Sequence, residues 1–314
     1  DLWMLFEAPL NGGCMQSALT QNHPDPYDRG DPQGLVNRGT CRPSIRHASV
    51  VRASTEELVI EQEGVVGFWQ LRVTFRIQTR FQAHSPRIEY HTTIDPSGKH
   101  YRLRAAFPSA IQDGAIRHEI PFGIQERTNG EHVAQNWLDY ADETTGLALL
   151  NRGTPGNGVD HGTLLLSLFR SAAMEYKAPS ELSFAEGVPH TFDYAILPHG
   201  PNADTEIIRE GRTLNQPPIP VTAAAEWLRP SSWALAPDSV VLSGLHWTEQ
   251  GLFLRLHEAT GNATHATLRL PDPLAEYAPA SGLEAPTAPF RPCAGKLSCD
   301  LTPFQIQAFL LRRE

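Results

Sequence analysis

Lysine is scarce in this chain: only three Lys occur among 314 residues, and acidic residues outnumber basic ones, 35 against 26, for a formal net charge of -9. Nucleic-acid binding draws its affinity from clustered Lys and Arg side chains that release counterions from phosphates. No such cluster occurs in the sequence, so we predict that the chain does not bind nucleic acid. An acidic balance is common in soluble proteins and identifies no other partner.

Cysteine is also rare. The four cysteines are Cys14, Cys41, Cys293 and Cys299, and none forms a C-x-x-C pair. This number and spacing do not describe a disulfide framework and favour a reducing, cytoplasmic compartment. A Cys293–Cys299 disulfide across a hairpin is the alternative.

Long hydrophobic runs are absent. No stretch approaches the roughly 20 apolar residues of a membrane-spanning helix, so no membrane partner is predicted. Residues 1–7 lack the basic region and long apolar core of a signal peptide. The sequence begins at Asp1, without Met and inside an apolar alternation, which we interpret as a hint of a missing upstream domain.

Catalytic and metal-binding signatures are missing as well. No G-x-S-x-G elbow occurs, which argues against an α/β-hydrolase nucleophile. Residues 23–31 gather His and Asp side chains, but their prolines and glycine indicate a solvated loop and not a helical zinc site. A calcium or other cation site is the alternative there. We predict neither a catalytic residue nor a metal site in this chain.

Proline and glycine, in contrast, are plentiful, at 26 and 24 residues, which indicates many turns between short elements. Apolar and polar residues alternate through residues 71–78, 87–94 and 102–107, as in antiparallel strands with one buried and one solvated face. Further strands are predicted at residues 132–140, 146–151, 163–170 and 190–197. Three successive leucines in residues 163–170 indicate a strand buried on both faces.

One helix is predicted over residues 205–214, with Asp204 as its N-cap and an apolar stripe of Ile207, Ile208 and Leu214. Residues 215–238 contain five prolines and form the predicted connection between domains. Strand-like patterns resume in residues 239–247, 251–259, 263–270, 296–301 and 304–312. We therefore predict an all-β chain, with a large β domain over residues 1–214 and a small β-sandwich over residues 239–314.

Two groups of side chains could contact carbohydrate. Asp139, Asp142 and Glu143 surround a predicted hairpin turn, where carboxylates either cap the backbone or contact a sugar or cation. Tryptophans stack on sugar rings when exposed and otherwise fill cores, and both interpretations stay open for those along the chain, Trp69, Trp137, Trp227, Trp233 and Trp247.

Five sequence stretches, taken together, carry a family resemblance. They are AAFP at residues 105–108, EIPFG at 119–123, NWLDY at 136–140, LSLFRS at 166–171 and FDYAILPH at 192–199. Their order and spacing resemble the carboxy-terminal β domains of glycoside hydrolase family 38 α-mannosidases. The resemblance extends from about residue 87 to the end of the chain, and residues 1–85 are only loosely similar.

The resemblance implies a large supersandwich of the galactose-mutarotase-like type, followed by a smaller C-terminal β-sandwich. It also implies retaining hydrolysis of α-mannosides by the parent protein. The zinc ion, nucleophile and acid/base residue of that reaction would lie on an amino-terminal domain, so no cofactor is expected in this chain. The implied partners are an α-mannoside or related glycan and the N-terminal catalytic domain of the same protein.

Arg170 with Ser171 is the first candidate for a substrate-cleft contact, because a guanidinium can hold sugar hydroxyls or a carboxylate. Trp137 and Asp139 are the other predicted carbohydrate contacts, and a purely structural Arg170 is the alternative. Two other functions stay open. One is a stand-alone carbohydrate-binding module. The other is a mutarotase-like aldose epimerase, in which His91, His118 and Glu119 or Glu126 would transfer protons.

Overall fold

The computed structural model describes residues 2–7, 36–41, 43–66, 73–98, 101–171, 181–183, 185–219, 222, 233–270 and 274–313. The predicted loop at residues 23–31, Trp69, Trp227 and much of the proline-rich connection lie outside these residues. The chain divides into two compact units. The first comprises Asp1–Glu119, Gln125–Ala203 and Arg209–Pro217, and the second comprises Ile120–Ile124, Asp204–Ile208 and Pro218–Glu314.

The first unit contains two antiparallel sheets. The nine-stranded sheet consists, in spatial order, of β3 (Ser44–Ala53), β4 (Glu57–Val66), β5 (Val73–Gln82), β6 (Ile88–Asp95), β15 (His190–His199), β12 (Gly146–Arg152), β11 (Trp137–Ala141), β8 (Ala115–Ile120) and β9 (Gly123–Arg127). The six-stranded sheet consists of β10 (Gly130–Val133), β13 (Gly156–Asp160), β14 (Thr163–Ser171), β7 (Tyr101–Pro108), β1 (Leu2–Glu7) and β2 (Val36–Cys41).

The inner faces of these two sheets share one hydrophobic core. Strand β5 contributes Val73, Phe75 and Ile77, all at most 4% exposed, at the alternate positions that the sequence pattern predicts. From the six-stranded sheet, Leu164 and Leu166 pack into the same core. The predicted all-β sandwich fold is therefore confirmed.

The predicted strand at residues 132–140 is wrong in one respect: it is two strands that belong to different sheets. Strand β10 ends at Val133 in the six-stranded sheet, and β11 begins at Trp137 in the nine-stranded sheet. Between them, the Ala134 amide donates to the Pro155 carbonyl oxygen and the Gln135 amide donates to the Glu119 carbonyl oxygen, each at 2.9 Å. These hydrogen bonds satisfy the backbone while the chain crosses from one sheet to the other.

Helix α1 (Asp204–Asn215) follows β15. Ala203 occupies the N-cap position without a side-chain hydrogen bond, so the prediction of Asp204 as the N-cap is wrong. Asp204 instead lies in the first turn, where a carboxylate interacts favourably with the helix dipole. The predicted apolar stripe is confirmed, since Ile207, Ile208 and Leu214 are buried.

The second unit is built around two further antiparallel sheets. One has three strands, β16 (Ala234–Ala236), β19 (Thr264–Arg269) and β22 (Lys296–Leu301). The other has five strands, in the order β17 (Val240–Thr248), β18 (Gly251–Glu258), β23 (Ile306–Arg313), β20 (Leu274–Ala280) and β21 (Arg291–Pro292). Leucines of both sheets, among them Leu254 and Leu268, pack into one core.

Both cysteines of the second unit are free thiols, so the disulfide alternative is wrong. Cys293 is buried, and its Sγ lies 3.6 Å from the carbonyl oxygen of Leu274. Cys299 is partly buried in β22, and burial raises the pKa of its thiol. Among the described residues, no helix is both long and apolar enough to cross a membrane.

Candidate functional site

Strand β7 carries two arginines where the alternation predicted a solvated face. Arg102 and Arg104 are only 2% and 1% exposed, so that prediction is wrong for this strand. Their neighbours Leu103 and Ala105 pack into the sandwich core. Because successive strand residues point to opposite faces, both arginines project from the other face of the six-stranded sheet.

Polar residues of three strands meet on this face. Arg170 on β14 pairs directly with Arg102, and Ser167 on the same strand pairs with Arg104. Directly opposite residues of an antiparallel pair project to the same side. We call this surface the arginine face, formed by Arg102, Arg104, Glu131, Ser167 and Arg170.

Glu131 holds the arginine face together. Its Oε2 accepts hydrogen bonds from both Arg102 and Arg104, the latter at 2.7 Å. Its Oε1 accepts a 2.7 Å hydrogen bond from the Ser167 hydroxyl, which also accepts one from Arg104 Nε at 3.2 Å. A carboxylate shared by two buried guanidinium groups is a charge-assisted network that is costly to break.

Burial and charge compete at these groups. Burial opposes the charged form of Glu131, but the adjacent Arg104 and Arg102 outweigh it, and the pKa of the carboxyl lies below its ordinary value. Burial also lowers the pKa of Arg104 to about 10, although Glu131 opposes this shift. At neutral pH both partners therefore remain charged.

Arg170 lies at the edge of this network and is the predicted residue with the best access. Its side chain is half-buried, and its Nε has no hydrogen-bond partner among the described residues. Burial, and then the nearby charge of Arg102, lowers its pKa. This Nε is itself closed to solvent, so a carboxylate or sugar hydroxyl would have to be recognised by the exposed part of the Arg170 side chain.

Ser171, the next predicted site residue, is fully buried. Its hydroxyl donates to the Gly98 carbonyl oxygen at 2.6 Å and is hydrogen-bonded to the Ser183 hydroxyl at 2.7 Å. These contacts tie the end of β14 to two connecting segments. Sugar contact by Ser171 stays a prediction, and the hydroxyl already has two partners.

Trp137 and Asp139 lie on the nine-stranded sheet, not on the arginine face. Both belong to β11, where the alternate residues Leu138 and Tyr140 point into the core. Trp137 and Asp139 therefore project from the outer face of their own sheet. The structure thus places the four predicted site residues on two different sheets and does not gather them into one site.

Asp139 is the centre of a second buried ionic group. It is 0% exposed and accepts hydrogen bonds from Arg117 Nη2 at 2.6 Å and from His199 Nε2 at 2.9 Å. His199 Nδ1 lies 2.7 Å from the carbonyl oxygen of Gly200. Burial opposes protonation of His199, but the hydrogen bonds to Asp139 and Gly200 outweigh it and raise the pKa of the imidazole. The imidazolium, with two donors, fits both acceptors.

The carboxylate at the predicted turn caps the backbone, and the tryptophans differ from one another in exposure. Asp142 Oδ1 accepts hydrogen bonds from the backbone amides of Thr144 and Thr145, at 2.7 and 2.9 Å, so capping of the turn is confirmed. Trp137 is 1% exposed, whereas Trp247 is 58% exposed. The exposed indole of Trp247 lies under the guanidinium of Arg313, 5.4 Å from its ring centroid.

The residues proposed for epimerase chemistry are not assembled. His118 is fully buried, and burial, with the charges of Arg127 and His132, lowers its pKa to about 3. Glu119 follows it on β8 and so points to the opposite face. His91 lies on β6, with three strands between it and β8, a separation of roughly 19 Å at ordinary strand spacing.

No metal centre is found within the described part of the chain: no group of three or more His, Cys, Asp or Glu side chains is arranged to hold an ion. The described side chains therefore do not fit the zinc site of the implied parent reaction. The segment at residues 23–31, with its His and Asp side chains, lies outside the described residues.

Comparison with known proteins identifies the family. Residues 40–177, from the end of β2 to just beyond β14, match the family model described as the glycosyl hydrolases family 38 C-terminal domain. This chain carries a family 38 C-terminal domain. The family resemblance predicted from the sequence is thereby confirmed, although the matched region begins at residue 40, well before residue 87, where the motifs placed its start. The family 38 domain includes the whole arginine face.

Curated relatives agree with this assignment. The chain is 30% identical over 254 residues to α-mannosidase 2C1 of Homo sapiens, covering 72% of this chain and 23% of that protein. It is 25% identical over 248 residues to α-mannosidase G of Dictyostelium discoideum, covering 72% of this chain and 22% of that protein. The chain thus spans about a quarter of the length of these relatives.

The fold is similar to a solved α-mannosidase from Enterococcus faecalis, with a TM-score of 0.71 and 14% identity. That alignment covers 98% of this chain and 38% of the solved chain. A second Enterococcus faecalis structure, a protein in glycosyl hydrolase family 38, aligns with a TM-score of 0.72 and 15% identity over 98% of this chain and 40% of its own. At this level of identity the likeness shows the fold.

Arg102, Arg104 and Glu131 are the functional candidates that sequence reasoning missed. In the sequence, Arg102 and Arg104 occupy the polar positions of an alternating strand. The alternation shows which residues share a face, but it does not show whether another segment covers that face. The sequence pattern does not separate these arginines from the exposed Arg76 and Arg80 of β5, because arginine outnumbers lysine throughout the chain.

Proposed function

We propose that this chain is the carboxy-terminal β part of an α-mannosidase, where it supports an amino-terminal catalytic domain and borders the substrate cleft. The observation that carries this proposal is the 30% identity over 254 residues to a protein named α-mannosidase 2C1, within a chain that has a family 38 C-terminal domain. The reaction class is hydrolysis of the glycosidic bond of an α-mannoside or related glycan.

Catalytic groups are assigned to the preceding domain in this proposal. Retaining glycoside hydrolysis needs a carboxylate nucleophile and an acid/base residue on either side of the scissile bond. The carboxylates described above are engaged in structural contacts: Glu131 with two arginines, and Asp139 with Arg117 and His199. We therefore assign this chain a non-catalytic role. Zinc, as a Lewis acid that orients sugar hydroxyls, belongs with the catalytic domain in this scheme.

The arginine face supplies the proposed contact with the cleft. Glu131 and Ser167 fix Arg104, and the neighbouring Arg170 side chain is only half-buried. A guanidinium presents a planar set of donors that suits sugar hydroxyls or a carboxylate. Arg170 is therefore the residue of this chain that we assign to a glycan hydroxyl or to a carboxylate of the catalytic domain.

The test compares two proteins: this chain alone, and the chain extended by its upstream reading frame. We expect the extended protein to hydrolyse p-nitrophenyl α-mannoside and to lose that activity after chelation and regain it with zinc. We expect the chain alone to be inactive, with p-nitrophenyl α-galactoside as the specificity control for both. Turnover by the chain alone, or preference of the extended protein for the galactoside, would refute the proposal.

A further inference from the structure

A cavity of about 540 Å³ opens at one end of the first unit. It is formed by the β7–β8 connection at residues 109–114, by Asn129 between β9 and β10, and by the β13–β14 turn at residues 161–162. Tyr140, near the end of β11, completes its lining. We call this cavity the loop pocket. None of its lining residues belongs to the arginine face or to the Asp139 group.

Hydrogen bonds fix the frame of the loop pocket. The Ser109 amide and hydroxyl both donate to the Gly162 carbonyl oxygen, at 3.0 and 2.7 Å. The Gly114 amide donates to the Tyr140 hydroxyl at 3.2 Å, and Tyr140 is itself buried in the sandwich core. The β7–β8 connection is thus tied at both ends to neighbouring strands. A cavity with fixed walls loses little conformational entropy when it binds a ligand.

The rim of the loop pocket carries unused hydrogen-bonding groups. Gln112, Asp113 and Asn129 are exposed, and their side chains form no hydrogen bond with another residue that the structure describes. Two other lining features are the left-handed backbones of Asp113, with φ 55°, and His161, with φ 46°. Asp and His adopt this conformation more readily than most residues other than glycine, and it shapes the two turns that line the pocket.

The lining chemistry selects the class of ligand. The residues described around the loop pocket include one carboxylate, two carboxamides and the imidazole of His161, but neither Lys nor Arg. The His161 imidazole lies 3.6 Å from the Asp160 carboxylate, so the lining offers a phosphate no guanidinium or ammonium partner. A carboxamide both donates and accepts hydrogen bonds, and a carboxylate accepts them. A sugar hydroxyl, which also donates and accepts, can pair with either group. The volume lies within the range of about 300 to 1,000 Å³ usual for small-molecule sites, which admits a monosaccharide or disaccharide.

We propose that the loop pocket is an accessory site for a neutral sugar, bound through its hydroxyl groups by Gln112, Asp113 and Asn129. The site would hold part of a glycan or a released sugar away from the arginine face. Only the choice of mannosides as first probes rests on the proposed function. The lining chemistry itself is the basis for a neutral polyhydroxyl ligand.

Ligand-observed NMR titrations of the 314-residue chain test this proposal, with methyl α-mannoside, mannobiose, glucose and inorganic phosphate as probes. We expect saturable binding of at least one sugar and none of phosphate. The double variant Gln112→Ala, Asn129→Ala should bind the sugar about tenfold more weakly or worse, because two hydrogen-bonding side chains are removed. Asp113→Asn, which tolerates the left-handed backbone, should weaken binding less.

Matched controls are Gln250→Ala and Asp238→Asn, which change exposed residues of the second unit and should bind like the unaltered chain. Circular dichroism checks that every variant is folded. Three results would each overturn the proposed sugar site: no saturable sugar binding, equal binding by the double variant and the controls, or displacement of the sugar by phosphate. None of these results changes the expected α-mannoside hydrolysis by the extended protein, so failures of the two proposals are distinguishable.

Discussion

The ring of His199 lies over Gly146, so a single methyl group there would disturb a buried ionic group. A Cβ at Gly146 would lie 2.0 Å from His199 Cε1, and His199 holds Asp139 through a 2.9 Å hydrogen bond. We expect Gly146→Ala to displace the ring and lower the free energy of unfolding by about 2 to 4 kcal/mol. Urea denaturation measures this, with Gly200→Ala as the control, since a Cβ there meets no atom within 4 Å. Equal stability of the two variants would contradict the prediction.

Glu131 is the carboxylate that both buried arginines of β7 share. Glu131→Gln keeps the shape of the side chain but removes its charge, and it leaves Arg102 and Arg104 without this counter-charge. We expect a loss of about 3 to 5 kcal/mol in the free energy of unfolding, the usual cost of breaking a buried ion pair. Glu143→Gln, at an exposed turn position, is the matched control and should be near neutral. A loss no larger than that of the control would show that the network does not stabilise the fold.

At the scale of the strand and turn, Glu258 connects two loops of the second unit. Its carboxylate accepts hydrogen bonds from the backbone amides of Thr260, Gly261 and Asn262 after β18, and from that of Phe304 before β23, at 2.7 to 3.1 Å. Burial opposes its ionisation, but these donors, with the Thr260 hydroxyl, outweigh it and lower its pKa. A single acidic side chain thus supplies the acceptors that the two loops lack.

The lowered pKa of Glu258 gives a pH dependence of known sign. Its contribution to stability is full above the pKa of an unfolded Glu, about 4.3, and is lost as the pH falls through the lower folded value. We expect Glu258→Gln to lower the free energy of unfolding at pH 7 by about 1.5 to 3 kcal/mol, and to lower it less at pH 3. Urea denaturation at both pH values, with exposed Glu249→Gln as control, measures the difference. An equal loss in the free energy of unfolding at both pH values would show that the stabilisation does not come from the ionised carboxylate of Glu258.

Element type was predictable where one face of a strand is buried against the core. The alternation at Val73, Phe75 and Ile77 and the leucine run of β14 are borne out because periodicity and burial coincide there. The crossing between β10 and β11 was not predictable, because residues 134–136 contain neither proline nor glycine to mark a break, and the backbone amides of Ala134 and Gln135 donate to segments distant in sequence. Such tertiary backbone pairing leaves no local sequence signal.

At the scale of the whole molecule, the family and the all-β architecture were predictable, but the grouping of site residues was not. Trp137 and Arg170 lie on different sheets, and the sequence pattern does not show which strands belong to which sheet. Burial of Arg102 and Arg104 depends on what covers their face, which periodicity does not report. The loop pocket unites residues from three connections far apart in sequence, so its lining likewise emerges only from the topology.

The role of Arg170 is testable only in the extended protein, because the proposed partner is a glycan or a catalytic domain. We expect Arg170→Gln to lower kcat/KM for p-nitrophenyl α-mannoside by about tenfold or more, the loss of one charged hydrogen bond. Stability should change little, since Arg170 Nε has no partner among the described residues. Arg46→Gln, an exposed arginine of β3, is the matched control and should retain full activity.

A fall in stability without a fall in kcat/KM would give Arg170 a structural role and remove it from the cleft. A raised KM with unchanged kcat would show that Arg170 binds the substrate and the transition state equally well. An equal fall in kcat and kcat/KM would show that its contact forms only in the transition state.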